Sequence, residues 1–456
     1  MKKTFALTVL IIMLLSFNIF AEEKAVTAPG SAEAPAVTAP APASTAPAEA
    51  TPKLDSGDTA WLLMSSALVM LMTLPGLALF YGGIAKRKDM LNTIAMSFIA
   101  YAIVSVLWVI YGYSFAFNGD ILGIIGNADK LILAGVGVGS INEAAATIPE
   151  FVFIMFQCTF AAITVALASG SFIERIKFSA WVLFCILWVT FSYVPIAHWV
   201  WGGGMLGKMG ALDFAGGTVV HINAGIAALV GCLILGKRRE ATLIPNNLPF
   251  VVAGAGLLWF GWFGFNGGSA VASNGLAGAA FLNTNVATAM ATVSWMIVEW
   301  IYSKKPTVLG FASGAVAGLV AITPAAGFVN ITGAIFIGLL AGIIPFFAVA
   351  VIKHKIGYDD SLDVFGIHGV SGILGAVLTG VFADPSINEA GKGLLYGNAG
   401  QLMTQIIAVA ITIVYVAIVT AIIFMIIKAV VGLRVDTEEE ITGLDESQHG
   451  ERAYNT

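Results

Sequence analysis

The chain has 456 residues, of which 58% are hydrophobic and only 11% charged, and its formal net charge is −5. Soluble domains carry about 25% charged residues, so this composition, with a mean hydropathy of +0.90, does not suit water. The same figures exclude a disordered chain, a coiled coil and, for want of a basic face, a nucleic-acid binder. Glycine accounts for 51 residues, above the usual ~7%, as expected where helices approach closely in a bilayer. The expected fold class is an all-α polytopic membrane protein. Cys158, Cys185 and Cys232 lie inside apolar runs, so neither a disulfide framework nor a metal site is expected.

At the start, Lys2 and Lys3 precede an apolar stretch to Ala21, followed by Glu22, Glu23 and Lys24. That order is expected of a signal peptide over residues 1–21, although Ile19 stands where a small residue is usual; the alternative is an uncleaved first helix. Either way, the next segment lies outside the cytoplasm. Residues 22–57 are mostly Ala, Pro, Thr, Ser and Glu and hold six of the fifteen prolines. Such a segment has too little apolar surface to fold and reads as a disordered extracytoplasmic linker.

A membrane domain is expected at 58–432, with apolar runs near 59–80, 91–115, 151–172, 179–200, 215–235, 249–266, 277–302, 308–323, 331–352, 362–383 and 400–431. Each is read as crossing a ~30 Å hydrocarbon core, some by tilting; the runs at 249–266 and 308–323 are short and Gly-rich. Lys and Arg orient them. Lys86, Arg87, Lys88, Arg175, Lys177, Lys237, Arg238, Arg239, Lys304, Lys305, Lys353, Lys355, Lys428 and Arg434 all fall on one side. The opposite loops hold only Lys130, Lys208 and Lys392. The positive-inside rule then puts the N-terminus outside and a tail at 433–456 inside. By composition that tail reads as solvated and acidic.

Two stretches echo each other. Leu212-Asp213 precedes His221 and a Gly-spaced apolar run in the fifth span; Leu362-Asp363 precedes His368 and a similar run in the tenth. Five spans is an odd number, so the second copy enters from the opposite side. The expectation is an inverted repeat of spans 1–5 and 6–10, plus a long last helix, with the substrate path at the repeat interface.

Few ionisable side chains sit in apolar sequence, and such groups are costly in lipid unless they line a path or the bundle interior. They are His198, His221, Asp213, Glu299, Asp363 and His368. His221 and His368 occupy matching repeat positions, and uncharged rings there would each offer one donor and one acceptor to a small polar solute. Asp213 is read as an N-cap for the fifth span, compatible with an electrostatic role, and Asp363 likewise on the inner side. His198 and Glu299 are read as structural. Phe156 and Phe160 share a helix face, as do Phe265 and Ser269. Aromatic stripes are usually packing and Trp201 is usually a belt anchor, but together at an outer mouth they could hold a small cation over their rings. No nucleophile, metal-ligand spacing or nucleotide loop stands out, so no catalysis and no cofactor is expected.

The string Gly210 to Asn223 (GALDFAGGTVVHIN), preceded by Gly202-Gly203-Gly204, closely resembles the signature of the ammonium transporter family (Amt/Mep/Rh). Residues 259–269 (WFGWFGFNGGS), 363–370 (DVFGIHGV) and 75–83 (PGLALFYGG) look like further motifs of its bacterial Amt branch. The resemblance implies an outer recruitment site at Trp201, Phe156 and Ser269, a phenylalanine gate at Phe160 and Phe265, and twin pore histidines at His221 and His368. It matches Asp213 to an aspartate needed for transport. It further implies ammonium, or methylammonium as analogue, as substrate, a homotrimer in the cytoplasmic (inner) membrane, and a PII-type signal protein as partner on the cytoplasmic face. The long Ala/Pro linker departs from the family pattern.

Three other readings compete. A cation-coupled transporter of a larger solute would need more polar groups at mid-membrane, a sensor would need an appended signalling domain, and an intramembrane enzyme would need a paired nucleophile or metal set.

Overall fold

The computed structural model describes residues 54–240 and 244–454; the expected signal peptide and nearly all of the expected linker lie outside them. Among the described residues ten helices are long and apolar enough to cross a membrane, and strand pairing is limited to two isolated bridges. In chain order the membrane helices are α1 Ser56–Ile84, α2 Arg87–Phe117, α3 Glu150–Ser171, α4 Phe178–Lys208, α5 Gly217–Leu235, α6 Leu248–Gly268, α7 Gly275–Ser303, α9 Ile331–Ile356, α10 Phe365–Phe382 and α11 Ala399–Val430. The run expected at 308–323 forms a shorter apolar helix, α8, Val308–Ile322. Helix α1 begins at Ser56, just inside the expected linker, because the Asp55 carboxylate accepts the N–H of Asp58 at 2.9 Å and caps it.

The outward surface of these helices stays apolar: Phe98, Phe191, Leu233, Trp300, Val414 and Met425 are all exposed. In water that surface would be unfavourable; against lipid tails it is matched. Helix α3 is buried along nearly its whole length and forms the centre of the bundle.

Helices α5 and α10 both open with a π-turn, Gly217–Ile222 and Phe365–Val370. Such wide turns displace side chains from the regular register and recur at functional sites. The two helices cross so closely that a Cβ on Gly225, just past the first π-turn, would lie 2.3 Å from the Cα of Gly369, within the second. Only glycine fits there. The crossing brings together the two helices that carry His221 and His368.

The tail does not behave as its composition suggests. Two short helices, α12 Thr437–Thr442 and α13 Leu444–His449, pack back on the loops that begin α2 and α4. Asp89, in the opening turn of α2, makes no capping bond to its own helix; its Oδ1 instead accepts the N–H of Leu444 at 2.7 Å. In return Asp445 Oδ1 accepts the N–H of Asn92 at 2.8 Å, so the tail caps the membrane helix. Glu440 is buried and takes Arg434 at 2.7 Å and the N–H of Arg239 at 2.8 Å. Composition counts charges but not partners, and here Glu440 and Asp445 are paired with loop cations and a helix-end amide.

A second layer of ion pairs lies beneath the tail. Arg238 meets Asp359 at 2.8 Å and Glu174 at 2.9 Å. Burial would raise the Asp359 carboxyl, but the Arg238 guanidinium holds it at about 2. Buried Arg175 donates to Ser361 Oγ at 2.7 Å and to the carbonyl oxygens of Asp359 at 2.6 Å and Gly236 at 2.9 Å.

The reciprocal caps predict the behaviour of one variant. An N-cap is worth about 1 kcal/mol, so Asp445→Ala should raise the undocked population of the tail about fivefold. Limited trypsinolysis at Arg434 should accelerate to match. Cleavage at the wild-type rate would show that the caps do not hold the tail.

Candidate functional site

Asp213 organises one half of the site. Its Oδ1 accepts the N–H groups of Gly216 at 2.8 Å and Gly217 at 2.7 Å, and its Oδ2 those of Thr218 at 2.7 Å and Val219 at 3.1 Å. These are the orphan donors at the head of α5, so the capping expectation fits the geometry, with four amides where one or two is usual. The turn requires Gly216 at φ +110°, where a Cβ would also meet Val220 Cγ2 at 2.6 Å. The Asp213 carbonyl oxygen accepts the indole N–H of Trp201 at 2.8 Å. One residue therefore holds both the π-turn bearing His221 and the ring at the mouth.

Phe156, Gln157, Phe160, Trp201, Phe214 and Ser269 border a cavity of about 280 Å³. The Phe156 and Phe160 rings are 4.9 Å apart and nearly edge-on, and Trp201 stands edge-on to Phe160 at 5.9 Å. Ser269 Oγ donates to the Phe265 carbonyl oxygen at 2.8 Å, which leaves its own lone pairs free. The residues expected at the mouth are thus gathered in one place. They offer π-faces and an acceptor, a combination that attracts a small cation able to donate hydrogen bonds.

Below the cavity, Phe160 and Phe265 stack at 4.1 Å with their planes 20° apart, and both are buried. Their contact closes the way to His221, whose ring lies 6.1 Å from Phe265. His221 and His368 stack at 5.4 Å, and their Nδ1 atoms are 3.3 Å apart. Two Nδ1 atoms facing each other share a single proton, so one ring donates and the other accepts. The ring that donates keeps a bare Nε2; the ring that accepts carries its proton on Nε2. The pair therefore offers a donor and an acceptor along the path. His221 Nε2 is buried with no hydrogen-bond partner among the described residues.

Trp262 is a site residue that the sequence reading passed over. Its indole lies 5.3 Å from His221 with the planes 16° apart, and its N–H donates to Thr323 Oγ1 at 2.8 Å. The signal was present, since Trp262 is one turn before Asn266 and three residues before Phe265 in the same motif.

The other half corrects one expectation. Asp363 does not cap α10: it has φ +59° and its carboxylate pairs with Lys353 at 2.6 Å. The capping carboxylate is Asp360, which accepts the N–H of Phe365 at 2.7 Å and also binds Ser171 Oγ. Asp360 precedes His368 by eight residues, as Asp213 precedes His221. The two Leu-Asp pairs are therefore not equivalent in the fold, and the aspartate eight residues before each histidine is the one that caps.

His198 and Glu299 lie off this line. The His198 Nδ1 is 3.0 Å from the Ala116 carbonyl oxygen and its Nε2 is 3.0 Å from Asp120 Oδ1. Lys208 and His198 together hold the Asp120 carboxyl at about 2. Glu299 receives the Thr307 hydroxyl at 2.8 Å and ties α7 to the start of α8. Among the described residues no group of His, Cys, Asp and Glu is arranged to hold a metal ion.

Comparison with known proteins adds an independent finding. A family profile described as Ammonium Transporter Family matches residues 60–454. An ammonium transporter of Aquifex aeolicus is 62% identical over 403 residues, covering 88% of this chain and 94% of that protein. The crystal structure of Saccharomyces cerevisiae Mep2 superimposes with a TM-score of 0.80 at 35% identity, covering 85% of this chain and 89% of that one. A structure titled Sensor Amt Protein gives a TM-score of 0.79 at 28% identity, with coverage of 86% and 98%.

The four-amide cap can be tested directly. Asp213→Ala leaves four donors without their acceptor, at roughly 1–3 kcal/mol for each that stays buried and unpaired. Asp213→Asn keeps one acceptor oxygen. Thermal unfolding in detergent, followed by tryptophan fluorescence, should rank wild type above Asn and Asn above Ala. Equal melting temperatures would remove the carboxylate from its structural role.

Proposed function

The chain belongs to the ammonium transporter family, and from that premise we propose that it moves ammonium across the cytoplasmic (inner) membrane through a narrow pore in each subunit. Ammonium is recruited at the outer mouth by Trp201, Phe156 and Ser269. It gives up its proton there to water, the proton being left behind or carried separately, and ammonia passes the Phe160–Phe265 gate and the His221–His368 pair. The observation that carries this reading is the continuous contact from Trp201 through Phe160 and Phe265 to His221 and His368.

Physical reasons favour the uncharged species in the pore. Burying a bare charge costs several kcal/mol even after relaxation, and the path between the rings offers aromatic surface and imidazole nitrogens rather than a countercharge. Ammonia donates and accepts hydrogen bonds and so matches the mixed donor and acceptor edge of the histidine pair. Potassium resembles ammonium in charge and size and would also be drawn to the π-faces. It has no proton to give up, so the step after recruitment rejects it.

The topology that fits this function has eleven crossings, with the N-terminus outside and the tail inside. Helix α8 would then cross as a 15-residue segment of about 22 Å. Spans 1–5 and 6–10 form the inverted repeat, supported by the matched π-turns and the equal Asp-to-His spacing. The layout has a signal peptide at 1–21, a linker at 22–57, the membrane domain at 58–432 and a cytoplasmic tail at 433–456. Three copies assemble as a homotrimer, and the docked tail and inner loops form the face on which a PII-type regulator would sit.

Uptake of labelled methylammonium by cells lacking other ammonium carriers checks the function. The wild-type chain should restore uptake, and His221→Ala combined with His368→Ala should reduce it at least tenfold. Full uptake by the double variant would refute the pore role of the histidines. The same proteins in liposomes report net charge: an ammonium-evoked current means that the released proton is carried across too, and no current at any load means that ammonia crosses alone.

A further inference from the structure

The mouth contains one polar side chain with no assigned role. Gln157 sits on α3 between Phe156 and Phe160, is only 8% exposed, and borders the 280 Å³ cavity. Its Oε1 is buried with no hydrogen-bond partner among the described residues. A primary amide brings two donors and two acceptor lone pairs, and buried amides are nearly always satisfied, because an unpaired one gives up its water for nothing. Gln157 is thus an exception that asks for a ligand.

The surroundings specify that ligand. The other polar group at the cavity is the Ser269 hydroxyl, whose proton is already committed to the Phe265 carbonyl oxygen; the rest of the wall is aromatic rings with Ala144, Val200 and Val271. The cavity therefore lacks a strong donor but has negative π-faces and one free oxygen. The two ends of an amide have the same shape, so a half-turn of its terminal torsion presents the oxygen to a donor in the cavity at little steric cost. Resting on the recruitment reading above, we infer that Gln157 is a second hydrogen-bond acceptor of the outer mouth, taking one N–H of the incoming ammonium while Ser269 takes another. Ammonium has four N–H groups in tetrahedral array; two meet oxygens and the remainder lie over the rings. Methylammonium keeps three, enough for both oxygens, which is consistent with its use as an analogue.

The test is labelled methylammonium uptake competed by unlabelled ammonium, in cells lacking other carriers, with uptake normalised to protein in the membrane. Gln157→Met keeps the volume and removes the acceptor; Gln157→Glu keeps the length and the oxygens. Loss of a hydrogen bond to a charged donor corresponds to about a tenfold change. Gln157→Met should therefore raise the half-saturating concentration about tenfold at an unchanged maximal rate, and Gln157→Glu should hold it at or below the wild-type value. Ser269→Ala and Trp201→Leu run in parallel. If these two raise half-saturation and Gln157→Met stays within twofold of wild type, the Gln157 assignment is overturned and the recruitment site stands. If Gln157→Met and Gln157→Glu lower the maximal rate alike without moving half-saturation, the residue is structural and the assignment is again overturned. If none of the four variants moves half-saturation, the recruitment site itself is refuted together with the role of Gln157.

Discussion

One half of the site depends on a buried carboxylate, Asp213, and the four amide protons that converge on it. An ionised group placed in an apolar interior needs donors, and the head of a helix in a membrane needs acceptors, since no water reaches it. Each requirement answers the other. The local positive end of α5 adds to the match. Because the same residue holds the Trp201 indole through its carbonyl oxygen, the mouth ring and the first histidine are referred to a single point.

The half that holds His368 repeats the solution with different parts. Asp360 caps α10 with fewer amides and gains a hydroxyl from Ser171 on α3 instead. Both helices then open with a π-turn and cross at Gly225 and Gly369. The close crossing matters to the chemistry: larger residues there would separate the helices and pull the two imidazoles out of contact. Trp262 backs the His221 ring from the other side and is itself fixed by Thr323, so the ring has little freedom to turn.

Residues that are rare in their setting were legible before any coordinates. His221, His368 and Asp213 stand out because spans otherwise offer almost nothing ionisable, and the aromatic pairs stand out by helical spacing. Asp360 was hidden behind a more conspicuous Leu-Asp match at Asp363. Gln157 carries no signal of its own, since one amide in an apolar run has many ordinary explanations. The tail misled for another reason. Glu440 and Asp445 read as solvated charges, yet their partners, Arg239, Arg434 and the amide of Asn92, lie near and far in the chain and meet only in the fold.

The sequence by itself determined the solvent, the helical class and the short list of groups that could line a path. Hydropathy and charge are local quantities, summed over neighbours in the chain, and lipid reads them in the same local way. What only the tertiary structure decided is which of those groups touch: the stacked phenylalanines, the shared proton between two histidines 147 residues apart, and the reciprocal caps joining tail to membrane. Those contacts follow from how helices cross, and crossing is set by small residues on facing surfaces that no single stretch of sequence contains.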